Sequence, residues 1–344
     1  MTAPFHGKAP WGLLFLAFFL GSLMTYSWIF GKTPFPLPAA CMSNAKTHPT
    51  CNYVINRVKG FEYTQPLLSA EPLCESTAFA TFKPNLLAAV DSLKRAGAIT
   101  NASIYLREFK YGEWLVINPE IHFHPASLMK VALLLTYLRQ AEAIQGLLTQ
   151  RLRFTPPPDQ LINPQFYSFP TIEAGKEYTV HELLYFMIAN SDNNATWLLA
   201  SRLDMSHIKK MFFDLGLPEP AQDDLKFTMT AEEISVFFKA LFNASYLSPE
   251  YSDYAARLLS NCAFQNGFVQ GLPADTKMWH KFGEWRSEGQ DSELHESGVI
   301  YIGETPYLLT VMTRGTDTDK LAGSIRVLAR AVYDRLVSGE VLDK

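Results

Sequence analysis

The stretch that most constrains this chain is the apolar run from Ala126 to Leu138. It is too long for a strand and reads as a buried helix. Two polar residues, Ser127 and Lys130, stand at its head. At the start of a helix they lie on one face, one turn apart. The helix N-terminus carries roughly half a positive charge, which favours an alkoxide-like serine and disfavours a charged lysine. A serine hydroxyl is a weak nucleophile until a base takes its proton, and a lysine of depressed pKa is such a base. The spacing alone is cheap, because S-x-x-K also occurs at Ser43–Lys46 and Ser206–Lys209. The first of these lies in a polar stretch, and the second reads as a helix cap followed by a solvated lysine.

The 344 residues suffice for one large domain or two small ones. A net charge of −4 without a basic block excludes a nucleic-acid footprint. Trp11 to Phe30 carries no charge and is long enough to span a bilayer as a helix, with Trp11, Tyr26 and Trp28 near its ends. Residues 1–31 are therefore expected to be an uncleaved membrane anchor or a signal sequence, with the rest of the chain outside the cytoplasm. Cys41, Cys51, Cys74 and Cys262 permit three pairings in an oxidising compartment, and buried free thiols remain the alternative. No zinc-type spacing occurs, so no metal and no cofactor are expected.

Residues 32–79, with prolines at 34, 36, 38, 49, 66 and 72, read as a linker or irregular arm. From residue 80 the order is a helix ending at Gly97, strands at 103–109 and 114–117, and then the Ser127 helix. A surface loop is expected at 152–174, followed by a block of helices. Three strands at 277–285, 296–302 and 307–313 and a helix over 321–336 close the chain. Strands at both ends with helices between predict an α+β sandwich, with an antiparallel five-stranded sheet covered by the first and last helices and an all-helical lobe inserted. A cleft is expected between sheet and lobe.

Two further strings could meet Ser127 there. Ser191-Asp192-Asn193 interrupts an apolar helical region; it is either a solvated interhelical turn or a proton relay beside an amide that grips substrate. Lys281-Phe282-Gly283 begins the late strands; Lys110-Tyr111-Gly112 shares its pattern but reads as a hairpin turn. S-x-x-K, S-D-N and K-T-G together are the motifs of class A β-lactamases and penicillin-binding proteins. Over roughly residues 80–340 the chain resembles the class A β-lactamase branch. The continuous run from Thr179 to Ala195, Thr228–Glu233 and Glu296–Ile300 carry the likeness beyond the three strings.

The resemblance implies acyl transfer on a β-lactam or a peptidoglycan D-alanyl peptide by a monomer. Ser127 would be the nucleophile and Lys130 the acylation base or relay. Ser191 and Lys281 would shuttle the proton, Asn193 would hold the acyl side chain, and Phe282 and Gly283 would border the substrate. Two departures stand out. Between Leu215 and Thr228, where the family's hydrolytic members carry a glutamate and an asparagine that hold the water of deacylation, no E-x-x-L-N occurs. Glu219 is the only glutamate there and the candidate deacylation base, with Asp223 and Asp224 as substitutes. Phe282 replaces a hydroxyl residue that helps bind a substrate carboxylate, and alternation puts Glu284 on its face of the strand. A β-lactamase-like hydrolase, a D,D-peptidase with slow deacylation, and a silent wall- or protein-binding module all remain open.

Overall fold

Alternating apolar residues in the late strands give the molecule a sheet with two buried faces. The computed structural model describes residues 53–58, 60, 65–77, 79–156, 166–220, 227–286 and 291–338. They belong to one unit spanning Asn52–Lys344.

Strands β3 (Asn101–Glu108), β4 (Trp114–Ile117), β7 (Met278–Trp285), β8 (Ser292–Ile302) and β9 (Thr305–Gly315) pair antiparallel in the order β4-β3-β9-β8-β7. This is the expected five-stranded sheet, with β7 at its edge. Leu309, Val311, Ile104 and Leu106 face α1 (Lys83–Arg95) and the C-terminal α9 (Thr318–Val337), where Leu86, Val90, Leu321, Ile325 and Leu328 complete one core. The intervening Tyr105, Leu308 and Met312 face the helical lobe.

That lobe is built around α2 (Met129–Ala143). Every residue from Lys130 to Leu138 is buried, which is the pattern of a helix covered on all sides. Around it lie α3 (Val180–Ala189), α4 (Asn193–Ala200), α5 (Met205–Asp214), α6 (Ala231–Phe242) and α7 (Pro249–Leu259); a short α8 (Phe268–Gly271) precedes β7. Thr179 with Glu182, and Thr230 with Glu233, form reciprocal capping boxes that fix where α3 and α6 begin.

Two expectations give way. Within the presumed arm, β1 (Tyr53–Arg57) and β2 (Leu67–Pro72) form an antiparallel ribbon. Glu71 ties it down, accepting from Arg107 of β3 and lying 3.6 Å from Lys239 of α6. The prolines punctuate this ribbon without preventing it, because Pro66 precedes β2 and Pro72 ends it. The described part of the expected surface loop at 152–174 departs from that reading as well. Its start pairs as β5 (Arg151–Arg153) with β6 (Glu177–Thr179), and Ile172 is buried.

Among the described residues no helix is long and apolar enough to cross a membrane. The anchor expected within residues 1–31, and Cys41, Cys51, Asp223 and Asp224, lie outside those residues. Cys74 is disulfide-bonded, and Cys262 is a buried free thiol.

Candidate active site

Ser127 sits in a 3₁₀ turn, Ala126–Leu128, that leads directly into α2. Ala126, just before it, has φ of +51°, a left-handed conformation that costs a residue bearing a Cβ free energy. Its neighbours hold it there. The Ala126 N–H donates to His124 Nδ1 at 3.1 Å, and the His124 N–H donates to Glu293 at 2.8 Å. His295 bonds the His124 carbonyl at 3.0 Å, and Arg314 donates to Glu293 at 2.7 Å. Burial pushes the His124 imidazole down to about 4, against the pull of Glu293, so it is neutral at pH 7 with Nδ1 as acceptor.

Lys130, one turn on, is buried and points at the loop between α3 and α4. Its Nζ donates to the Ser191 carbonyl, to Ser191 Oγ at 3.2 Å and to Asn193 Oδ1 at 2.7 Å. Ser191 has φ of +53°, so this turn is strained as well. Burial, reinforced by the nearby charge of Lys281, drives the Lys130 pKa well below the ordinary lysine value. Desolvation disfavours the ammonium, and the free amine is the form that accepts a proton from serine. Asp192 is structural. It caps α4 by accepting from Asn194 N–H at 2.8 Å, and its carboxylate accepts from Thr171 Oγ1 at 2.8 Å and Ile172 N–H at 2.9 Å.

A cavity of about 330 Å³ opens between sheet and lobe and is lined by Ser127, Lys130, Asn193, His124, Glu284 and Trp285, among others. His124 and Trp285 stack there at 4.9 Å. The expected cleft therefore exists, with the S-x-x-K pair and Asn193 in it, and Ser191 hydrogen-bonded to Lys130 beside it.

The third string is placed differently. Lys281 is fully buried and does not line the cavity; its Nζ donates to the Phe282 carbonyl at 2.8 Å. Burial lowers its pKa to about 8. Phe282 is also fully buried, stacked on Phe264 at 4.4 Å and met edge-on by Tyr167 and Phe169. It thus borders the core, while Glu284, of the same strand parity, reaches the cleft; the face they share passes from core to cavity between them. Gly283 lies where β7 meets the Ser127 turn. A Cβ there would lie 3.1 Å from both Leu128 N and Pro125 O, so its bareness lets β7 close onto the Ser127 turn. Glu219 is exposed and does not line this cavity. Among the described residues no cluster of His, Cys, Asp and Glu is arranged to hold a metal ion.

Sequence reasoning did not assign His124, Trp285 or the Glu293–His295–Arg314 support. No motif marks them, since four separate segments bring them together.

A family model described as the β-lactamase enzyme family matches residues 86–336. The chain belongs to that family.

Solved structures of the family share its fold. A β-lactamase from Xanthomonas campestris pv. campestris is 20% identical with a TM-score of 0.63, covering 74% of this chain and 98% of its own. One from Chitinophaga pinensis is 18% identical with a TM-score of 0.64, covering 73% and 99%. A mutant of PBP-A, captured as an acyl-enzyme with penicillin G, is 20% identical with a TM-score of 0.62, covering 74% and 97%. No curated protein matches the chain. Like others of the β-lactamase family, this chain is a β-lactamase-like serine hydrolase. Its own features are the buried Phe282 and the carboxylate of Glu284 in the cleft.

Proposed function

We propose that the protein opens β-lactam rings through an acyl-enzyme on Ser127. The observation that carries this reading is Lys130, a buried lysine whose ammonium form is disfavoured. It is held by Ser191 and Asn193 and lines the same cavity as Ser127. That a PBP-A variant of this fold carries penicillin G as an acyl-enzyme supports the choice of substrate.

In the proposed reaction the Lys130 amine takes the Ser127 Oγ proton as Oγ attacks the lactam carbonyl carbon. The backbone N–H of Ser127 stabilises the oxyanion. The proton passes from Lys130 through Ser191 Oγ to the lactam nitrogen as the C–N bond breaks. Asn193 grips the acyl side-chain amide. The buried Lys281 adds a nearby charge that further disfavours the Lys130 ammonium.

A second reading, a D,D-peptidase acting on D-alanyl peptides and slow to release its acyl group, draws on the exposed position of Glu219 outside the cavity. A labelled penicillin and a chromogenic cephalosporin separate the two. Labelling of Ser127 with cephalosporin turnover is the expected result. Stable labelling without turnover supports the peptidase. Neither signal, with Ser127→Ala indistinguishable from the parent, overturns both. We further propose that the uncharged run from Trp11 to Phe30 anchors the enzyme and carries its catalytic unit outside the cytoplasm. The intact chain should then stay with membranes after a salt wash; recovery in the soluble fraction would overturn the anchor.

A further inference from the structure

An acyl-enzyme is released only when a base strips a proton from the attacking water, and the loop between α5 and α6 sends no described carboxylate into the cavity. One carboxylate does line it, and it comes from the sheet. Glu284 lies three residues beyond Lys281 on β7 and shares the cavity with Ser127, Lys130 and Asn193.

Its two oxygens are in different situations. Oε1 accepts the Phe166 N–H at 3.1 Å, which fixes the carboxylate from the segment that crosses towards Asp192. Oε2 is buried and has no hydrogen-bond partner. Leaving a desolvated carboxylate oxygen unpaired is costly, and what it lacks is a donor such as water held beside the acylated serine. The ionisable groups facing Glu284 are Lys281 on its own strand, Lys130 of α2 and the phenol of Tyr167; His124 shares the cavity. Burial outweighs the two lysines and the Phe166 and Tyr167 N–H groups, raising the Glu284 pKa to about 7. A base of that pKa is well matched to proton transfer near neutral pH.

We propose that Glu284 is the general base of deacylation in this protein, supplying from the sheet what the loop lacks. The inference rests on the reading of Ser127 as the acylated nucleophile. Water gives its proton to Glu284 Oε2 while its oxygen bonds to the acyl carbonyl carbon. The tetrahedral oxyanion collapses, the bond from that carbon to Ser127 Oγ breaks, and the proton taken by Glu284 returns through Lys130 to Oγ. Ester and water become carboxylic acid and free serine, with no net change in protons or electrons at the site. Because the ionised carboxylate is the active form, release accelerates as pH rises through about 7 and levels off above it.

The test follows the Ser127 adduct by intact mass in the full chain, labelled with a penicillin and then freed of excess reagent. Glu284→Gln should still form the Ser127 adduct but release it about 100-fold or more slowly. Its cephalosporin hydrolysis should shrink to a burst of one product per enzyme, and its release should lose the rise with pH. Glu284→Asp should recover part of the release rate, which a merely structural role would not give. If Glu284→Gln does not fold, the pH profile of release in the parent decides: a flat profile across neutrality overturns the inference. Parent-like release in Glu284→Gln, or a parent adduct that never decays, also overturns it while leaving Ser127 as nucleophile. No adduct with any probe overturns the nucleophile reading and the inference together.

Discussion

Lys130 and Lys281 are both removed from water, and the consequence differs for each. For Lys130, burial disfavours the ammonium and so favours the free amine that the proposed acylation uses; acylation should then reach its plateau at a pH below the ordinary lysine range. Lys281 has a folded pKa of about 8 against an ordinary 10.5. Between those values the unfolded chain binds more protons than the folded one, so stability rises with pH across that window. Below about 8 both states are protonated and the full cost of burying the ammonium is present. Lys281→Met should therefore raise Tm at pH 7 by roughly 4 °C, on the order of 1–2 kcal/mol. It should flatten the rise in stability towards alkaline pH and slow acylation of Ser127. Calorimetry across pH with a penicillin-labelling rate checks both halves; an unchanged or lower Tm would show that the Phe282 carbonyl and ring already compensate the charge.

At the scale of elements, the site depends on how closely β7 approaches the Ser127 turn. Gly283 permits the contact, and an added methyl would press on Leu128 N and Pro125 O at 3.1 Å. Gly283→Ala should displace the turn by a few tenths of an ångström, with little loss of stability but a fall in acylation rate of about 10-fold or more. Gly298 of β8 is the contrasting case. There a Cβ would lie 2.5 Å from His280 Cβ and 2.6 Å from the Trp279 carbonyl, with backbone on the far side. Gly298→Ala should lower stability by about 2–3 kcal/mol, read as a shift in the urea midpoint. Equal effects of the two substitutions on rate and stability would refute this division. The capping boxes work at the same scale: Thr179 and Glu182 fix the first turn of α3, whose far end delivers Ser191 to Lys130.

The whole molecule brings three lengths of chain to one cleft, and the ribbon of β1 and β2 braces it from outside the site. Glu71 faces two cations, Arg107 and Lys239, whose side chains are each only 10% exposed. Removing it leaves buried charge unpaired, which costs about 3 kcal/mol or more. Glu71→Ala should therefore free the ribbon and lower overall stability. Because the ribbon contributes no residue to the Ser127 cavity, penicillin acylation in the folded fraction should persist. Hydrogen exchange confined to the ribbon, or spread through α6 and β3, will show how far the loss travels. Acylation abolished in a folded Glu71→Ala protein would place the ribbon in the catalytic unit.

The sequence by itself determined the elements. Apolar spacing marked the Ser127 helix, the first and last helices and the late strands, because periodicity is a local property written within one turn or strand. That Ser127, Lys130, Ser191 and Asn193 meet was implied by the resemblance of their two motifs to the family's, because no spacing within the chain links segments some sixty residues apart. Only the tertiary structure decided which way a β7 side chain faces at the sheet edge. Phe282 and Glu284 share a parity that alternation reads correctly, yet Phe264, Tyr167 and Phe169 close over one while the cleft opens at the other. The same holds for the ribbon, which a proline-rich stretch conceals until Arg107 and Lys239, distant in sequence, pair with Glu71. The lowered pKa of Lys130 and the raised pKa of Glu284 are also tertiary facts, because desolvation depends on everything packed around a group and no spacing records it.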